Sequence, residues 1–468
     1  MKFKAHFLTE AEAAQIHAMT VQVLEEVGVE FEEESARETF RQHGARVEDG
    51  KVYISGQMLE KALAGIPESF TVWGRSGKST TIGGGHLTIA PDGGPMFIRK
   101  GDEQYRAQAE DFKNFQKLCH TSQVMDMNAP WITEPADIDR ALVRDYQIAV
   151  TLKYTDKPVA GYTTSEQDSI HSIEMTQKFY GIYDKYVSLG VISAISPLKY
   201  DETMLKAVRV YAEKNQPLVF ASCSMPGATS PITLSGTMVV NNAEVLAGIV
   251  YAQLLQPGLP VVYGNTTGGC DLRYAAPTIG SPEAAMLVQA TAGMAAYYNI
   301  PCRTGGSLAD SKCVDWQAGV ESGMMLLTTL MTDAGFVFQS CGILDSFNTL
   351  CYEKFILDEQ NIELFRRMTG GYSFAPTAAD YQDIAAAGPG GEYLSSDLTM
   401  RRFKKELYVP KLFSKMDYNS WEMQGKLTAL DYARRELDKR LNNYQMPEMT
   451  PEQGEVLRSY IGDLADTI

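Results

Sequence analysis

Between Lys157 and Gly306 the chain writes one phrase four times: a proline, a short apolar run, then small polar residues. The copies are Pro158-Val159-Ala160-Gly161-Tyr162-Thr163, Pro217-Leu218-Val219-Phe220-Ala221-Ser222, Pro260-Val261-Val262-Tyr263-Gly264-Asn265 and Pro301-Cys302-Arg303-Thr304-Gly305-Gly306. Proline lacks the N–H of a ladder, so it is tolerated at the first residue of a strand and not in its middle. An unbroken apolar run after it suits a parallel strand covered on both faces. Helical stretches separate the copies. This pattern predicts a (β/α) barrel or a doubly wound sheet, with polar residues gathered at the strand ends where both folds place their chemistry.

Strands are expected over residues 123–128, 158–161, 187–192, 217–221, 260–263, 301–304 and 335–338, with an eighth near Tyr372-Ser373-Phe374. Seven βα units with one to find, and no Gly-x-Gly-x-x-Gly after the early strands, favour an α/β fold of the TIM (β/α)8 type over an open sheet. Ser281-Pro282-Glu283 reads as a helix start, and Met204, Val208 and Tyr211 as one helix face. Residues 1–120 read as an α+β region. It opens on a helix over 8–27 capped by Thr9 that buries Ile16, Met19, Val23, Leu24 and Val27. Small antiparallel strands are expected in its glycine-rich stretch from Ser79 to Arg99. Residues 121–380 form the barrel, and 381–468 a helical cap or oligomer contact that closes on a helix from Trp421 to Leu441.

Composition narrows the function. The 42 Lys and Arg against 58 Asp and Glu give a net charge of −16, and no basic run exists, which argues against nucleic acid and anionic membranes as partners. No apolar run approaches the roughly 18 residues of a membrane span. Lys2 and Lys4 lead into Leu8-Thr9-Glu10-Ala11-Glu12 with no secretory signal. Seven cysteines without Cys-x-x-Cys pairing read as the reduced thiols of a cytoplasmic protein. All six histidines precede residue 172, so the later strand ends must work without imidazole. That argues against a Ser-His-Asp triad, a Cys-His pair or a His-rich metal site there. A thiolate zinc site from Cys270, Cys302 or Cys341 is the remaining metal alternative.

Four loops after the strands carry the candidate chemistry: 222–231, 264–271, 304–312 and 339–348. Their glycines let a bulky flat ligand approach the backbone, and their hydroxyls offer neutral hydrogen bonds. Each loop alone reads equally as turn chemistry. Four on one face favour a ligand site. Gly305-Gly306 is a candidate phosphate turn, and Lys312 either a Schiff-base or a surface lysine. Asp310 and Asp345 read as acid–base groups or helix caps. Tyr162, Tyr263, Phe347, Tyr352 and Trp131 read as cation-facing or core aromatics.

The run Gly227-Ala228-Thr229-Ser230-Pro231-Ile232-Thr233-Leu234-Ser235-Gly236-Thr237, followed by Asn242-Ala243-Glu244-Val245-Leu246-Ala247-Gly248, resembles the trimethylamine:corrinoid methyltransferase family. So do Gly280-Ser281-Pro282-Glu283, Arg303-Thr304-Gly305-Gly306, Asp310-Ser311-Lys312, Glu26-Val27-Gly28-Val29 and Glu406-Leu407-Tyr408-Val409-Pro410. Archetypal members carry pyrrolysine after the seventh strand, in a context similar to Gly342-Ile343-Leu344-Asp345. Here Ser346 stands in that place, with Phe347 next, and the family's His-Thr is Leu398-Thr399. The resemblance is therefore to the non-pyrrolysine branch, which implies methyl transfer from a quaternary amine such as glycine betaine, proline betaine or carnitine.

The implied acceptor is Co(I) of a corrinoid held by a separate protein. A quaternary ammonium leaves as a neutral amine without a proton, so no catalytic residue and no metal ligand is expected, only positioning. The residues implied for substrate binding are Tyr162, Ser222, Asn265, Thr304, Gln339, Asp345, Ser346, Phe347 and Tyr352. Those implied to face the corrinoid are Gly227, Gly268, Gly305 and Gly306. A substrate carboxylate would need a donor such as Arg273, Arg303 or backbone N–H groups. A homo-oligomer is expected. The rival readings are a zinc-thiolate methyltransferase and a betaine-binding or sensing protein without turnover.

Overall fold

The computed structural model describes residues 8–468. Its centre is a seven-stranded sheet, all neighbours parallel. The strands are β1 (Thr88–Ile89), β2 (Val159–Ala160), β3 (Ser188–Ser193), β4 (Leu218–Ser222), β5 (Val261–Asn265), β6 (Cys302–Gly305) and β7 (Phe336–Phe338), in the spatial order β1-β7-β6-β5-β4-β3-β2. The prolines act as the sequence predicts. Each sits just before its strand, gives up no ladder donor, and offers its carbonyl to the neighbour. Asn128 N–H donates to Pro158 O at 2.9 Å, Gly190 to Pro217 at 3.1 Å, Leu218 to Pro260 at 3.2 Å and Tyr263 to Pro301 at 2.8 Å.

Helices α1 (Glu166–Tyr180), α2 (Glu202–Glu213), α3 (Leu234–Leu255), α4 (Pro282–Tyr297), α5 (Trp316–Leu330) and α6 (Tyr352–Thr369) follow β2 to β7 in turn. The first five start on a side-chain cap from Ser165, Asp201, Thr233, Ser281 or Asp315, each worth about 1 kcal/mol. Helix α3 is long and apolar enough to span a membrane, but it is mostly buried inside the molecule. Period-two alternation splits each strand. Leu189, Val219, Val262, Phe336 and Phe338 share the inner face, while Phe220, Tyr263 and Cys302 pack outward on the helices.

The eighth strand expected near Tyr372-Ser373-Phe374 does not form. That stretch is coil, and Phe374 is 88% exposed. The edge beside β7 belongs instead to Thr88–Ile89, expected as a small antiparallel strand and observed parallel, with Val337 opposite Ile89. The glycine-rich surroundings hid its partner and direction, not the strand itself. The expected first strand, 123–128, is extended without a full ladder. Asp126 N–H donates to Ile89 O at 2.8 Å, and Asn128 bridges Val159, so this segment touches both edge strands.

Thr9 caps the first helix with a capping box. Leu24 is buried as expected, but Met19 is exposed on the regular helix, and Val27 is exposed where the last turn widens into a π-helical Val23–Val27. The closing helix is two, Tyr418–Met423 and Ala429–Asn442, parted at Gly425 by a left-handed residue. Helices Ala378–Ala387 and Asp397–Glu406 bury no residue at all. The last helices pack on the outer layer, with Tyr444 Oη donating to Tyr154 O at 2.7 Å and Gln453 to Phe179 O at 2.9 Å.

Candidate active site

The carboxyl ends of the strands collect an aromatic group at one end of the inner face. The Trp131 ring meets Tyr162 edge-on at 5.9 Å and Phe338 at 6.0 Å. Gly93 makes this approach possible, because a Cβ there would lie 2.2 Å from Trp131 and 2.8 Å from Phe338. Tyr162 Oη donates to Pro130 O at 2.9 Å or to Gln147 Oε1 at 2.7 Å, which fixes its ring. The Arg303 guanidinium stands over Phe338, 5.2 Å from the ring centre. It donates to the Asn265 carbonyl, and at 2.8 Å to Gln339 Oε1. Gln339 holds a left-handed backbone (φ 60°) to make that contact.

Several polar atoms near the strand ends lack a partner. Asp92 Oδ2, Trp131 Nε1, Asn265 Nδ2, Arg303 Nε, Thr304 Oγ1 and Ser307 Oγ are buried and make no hydrogen bond within the chain. Native interiors pair nearly all such atoms; Trp131 Nε1 and Arg303 Nε belong to the aromatic group and suit a ligand or ordered water, whereas Asn265 and Thr304 sit on the outward faces of their strands. Burial raises the Asp92 carboxyl well above the usual range, against the pull of Lys354 and Arg303. Burial likewise lowers the Arg303 guanidinium to about 10.

Strand parity sorts the other expected residues. Ser222 and Asn265 are register partners and belong to the outward face of their strands. The Ser222 hydroxyl donates to Glu244 of α3, whose carboxylate also accepts from Ser196 Oγ and Leu198 N–H, both at 2.8 Å. Burial raises the Glu244 carboxyl despite these bonds. Thr304 pairs with the outward Val337. Tyr352 is stacked on Phe115 at 4.4 Å and donates to Asp111 at 2.8 Å, in the helix layer and apart from the Trp131 group. Tyr263 likewise faces out, to Asn242.

Asp345, Ser346 and Phe347 form the tip of the hairpin Ile343–Leu344/Thr349–Cys351. Their φ values of 53°, 50° and 76° put three successive side-chain-bearing residues in the left-handed region, at about 1–3 kcal/mol each. Asp310 holds the tip. It accepts Ser346 Oγ at 2.7 Å, Ile279 N–H at 2.9 Å and Gly280 N–H at 3.0 Å. It is therefore a clamp between loops and not a helix cap. Lys312 lies at the surface, its side chain 70% exposed.

Of the four glycines, Gly227 is exposed, beside the exposed Ile232 and Leu272. Gly268, Gly305 and Gly306 are buried. A Cβ on Gly306 would stand 2.5 Å from Ser340 Cα, so that glycine serves close packing of two loops. A buried ion pair braces the same loops: Lys354 Nζ lies 2.6 Å from Asp358 Oδ2 and donates to Ser307 O at 3.0 Å, while Gly342 N–H donates to Asp358 at 2.9 Å. Among the described residues all seven cysteines are free, and no three His, Cys, Asp or Glu side chains converge to hold a metal. Sequence reasoning missed Asp92 and Phe338. The run Ala90-Pro91-Asp92-Gly93-Gly94-Pro95 reads as turns, and only its place after β1 gives Asp92 its significance.

The chain is 37% identical to a glycine betaine methyltransferase of Desulfitobacterium hafniense over 98% of its length and 97% of the relative's. It is 34% identical to a proline betaine:corrinoid methyltransferase of Eubacterium limosum, covering 98% of each. An L-carnitine:corrinoid methyltransferase of the same organism is 32% identical, with coverage of 97% and 96%. Among solved structures, the monomethylamine methyltransferase of Methanosarcina barkeri matches the fold at a TM-score of 0.57 and 11% identity, covering 94% of this chain and 90% of that one. The family model described as trimethylamine methyltransferase (MTTB) matches residues 3–466, and the chain belongs to that family.

Proposed function

We propose that the protein transfers a methyl group from a quaternary amine to Co(I) of a corrinoid carried by a separate cytoplasmic protein. The observation that carries this reading is full-length similarity above 30% identity to three betaine-directed enzymes, in a chain with serine at the hairpin tip. The fold is read as a (β/α)8 barrel of residues 121–380 joined by β1, with the 123–128 segment as the stave between β1 and β2, and with residues 381–468 as a cap.

In the step itself the C–N bond of the ammonium breaks, a Co–CH3 bond forms, and a neutral tertiary amine leaves with the electron pair. No proton moves. The corrinoid supplies the nucleophile, and the chain supplies position. Trp131 offers an aromatic face to the trimethylammonium, beside Tyr162 and Phe338, whose rings lie under the guanidinium groups of Arg144 and Arg303. Because the amine loses its charge in the transition state, a site that solvates the cation less well than water favours the reaction. The Asp345-Ser346-Phe347 tip, held by Asp310, lines the approach. The corrinoid protein docks on the loops after β4 and β5, where Gly227, Ile232, Leu272 and Tyr274 are exposed.

A homo-oligomer accounts for the apolar side chains of residues 372–423, where Phe374, Leu394, Val409 and Met423 are each more than 70% exposed. The test is an anaerobic mixture of the protein, a Co(I)-corrinoid protein and a panel of methylated amines, read by Co(I) absorbance. Loss of Co(I) with a quaternary amine and not with trimethylamine is the expected result. Binding of betaine without any loss of Co(I) would leave a sensor.

A further inference from the structure

Residues 370–407 leave the end of α6 and return to it. Arg367 Nη2 donates to Glu406 O at 2.9 Å, and Tyr408 Oη to Glu363 Oε2 at 3.2 Å. Between these anchors stand the helices Ala378–Ala387 and Asp397–Glu406, tied to each other by Ser396 Oγ donating to Asp383 at 3.3 Å, and neither buries a residue. Helices this short are marginal in water unless a packed face supports them. Ten large apolar side chains between Tyr372 and Val409 are each at least 41% exposed. Together they present on the order of 1,000 Å², more than the roughly 800 Å² that one partner gives to a stable interface.

The molecule also holds an apolar recess. A groove of about 1050 Å³ runs between the first helix (Glu10–Gln22), α3, α4 and α5. Ile16, Leu234, Met238 and Met324 line it, and Met19 and Met286 stand exposed along it. Methionines repack readily around an incoming side chain. The four helices that wall the groove contain no Lys or Arg, while Glu12 and Glu283 are exposed beside it. The helix Asp397–Glu406 matches this surface in both respects. Met400, Phe403 and the capping Leu407 form an exposed apolar stripe at i, i+3 and i+7, the anchor pattern of a helix laid in a groove. Arg401, Lys404 and Lys405 are exposed around the stripe, on a chain whose net charge is −16. Because this helix buries no residue, it does not lie in the groove of its own chain.

We infer that the helix Asp397–Glu406 of one copy lies in the methionine-lined groove of a second copy. The inference rests on the homo-oligomer reading and gives it a specific contact. The occupant has to be permanent, because helices that bury nothing alone are not left open between encounters. A corrinoid protein does not suit, since it departs with its methyl group after each transfer, and interfaces that open and close are no more apolar than the surrounding surface. Reciprocal seating closes a two-fold dimer, and head-to-tail seating closes a ring.

Sedimentation velocity of the full chain, with neither amine nor corrinoid present, tests this. The natural chain is expected to sediment as an oligomer at micromolar concentration. Met400→Glu on the helix and Met286→Glu on the groove change exposed positions, and each is expected to give a monomer that circular dichroism shows to be folded. Lys404→Glu/Lys405→Glu and Glu12→Lys/Glu283→Lys should each weaken association about tenfold or more, because like charges then face each other. All four charge changes in one chain reverse both sides and should restore it. A monomeric natural chain, an unchanged oligomer in either methionine variant, or a fourfold variant no tighter than its parents would each overturn the proposal. Methyl transfer is read separately: an active monomer keeps the enzyme and loses this contact, and an oligomer that passes these tests but transfers no methyl keeps the contact and loses the enzyme.

Discussion

Replacing Lys354 by Met strands Asp358 in the interior, and replacing Asp358 by Leu strands Lys354. Both side chains are 3% exposed, and the charged atoms are 2.6 Å apart. At an effective dielectric of 20 that separation is worth about 6 kcal/mol of attraction, which desolvation of several kcal/mol per ion largely cancels. Burial still raises the Asp358 carboxyl against the pull of Lys354, so the pair sits near balance. Losing either partner alone exposes the uncancelled penalty, about 3–5 kcal/mol. Losing both removes the penalty and leaves only the Ser307 carbonyl and Gly342 N–H unmet, at about 1–3 kcal/mol each. The Lys354→Met/Asp358→Leu double variant is therefore expected to be about 4 kcal/mol more stable than the sum of the singles implies, from the midpoints of these ranges. Urea unfolding of the four proteins, followed by tryptophan fluorescence, measures the coupling. Strict additivity would refute the argument that these charges hold the two loops as a pair.

Gly306→Ala drives a Cβ into Ser340 and to 2.9 Å from the Gln339 carbonyl. It should cost about 1–3 kcal/mol of strain, which urea unfolding would show. Asp310→Ala orphans two backbone N–H groups and should cost about 2–4 kcal/mol, against about 1 kcal/mol for Ser346→Ala. Equal melting shifts for the two would refute the clamp. The Asp92 carboxyl is raised above its ordinary 3.8 by burial, so the folded chain holds that proton more tightly than the unfolded one. The resulting stability is complete below about pH 4 and is lost as pH rises toward the folded value. Asp92→Asn should therefore gain on the natural chain as pH increases from 4, and a pH-independent difference in melting temperature would contradict this.

The strand-helix rhythm is legible because proline and unbroken apolar runs are local signals. Thr88–Ile89 is legible as a strand but not in its place, since two residues among glycines do not show their partner, and the free edge of Phe336–Phe338 makes them parallel where a small antiparallel strand was expected. The site shows the same division. The loops that carry it could be named from composition, but whether Ser222 or Ala221 faces inward depends on a one-residue parity that no loop composition reveals. Tyr162, Trp131 and Arg303 were visible as candidates. That Tyr352 belongs to a buried stack with Phe115 depends on a partner more than two hundred residues away.

The pairing of Ile89 with Val337 spans 248 residues of chain. At the ribosome's pace of roughly 5–20 residues per second, β1 waits on the order of tens of seconds for the neighbour it needs. During that wait an apolar edge is open to any strand that passes, including that of another nascent chain. Yield in a foreign host should thus depend on translation speed, temperature and chaperone supply more than on the stability of the finished protein.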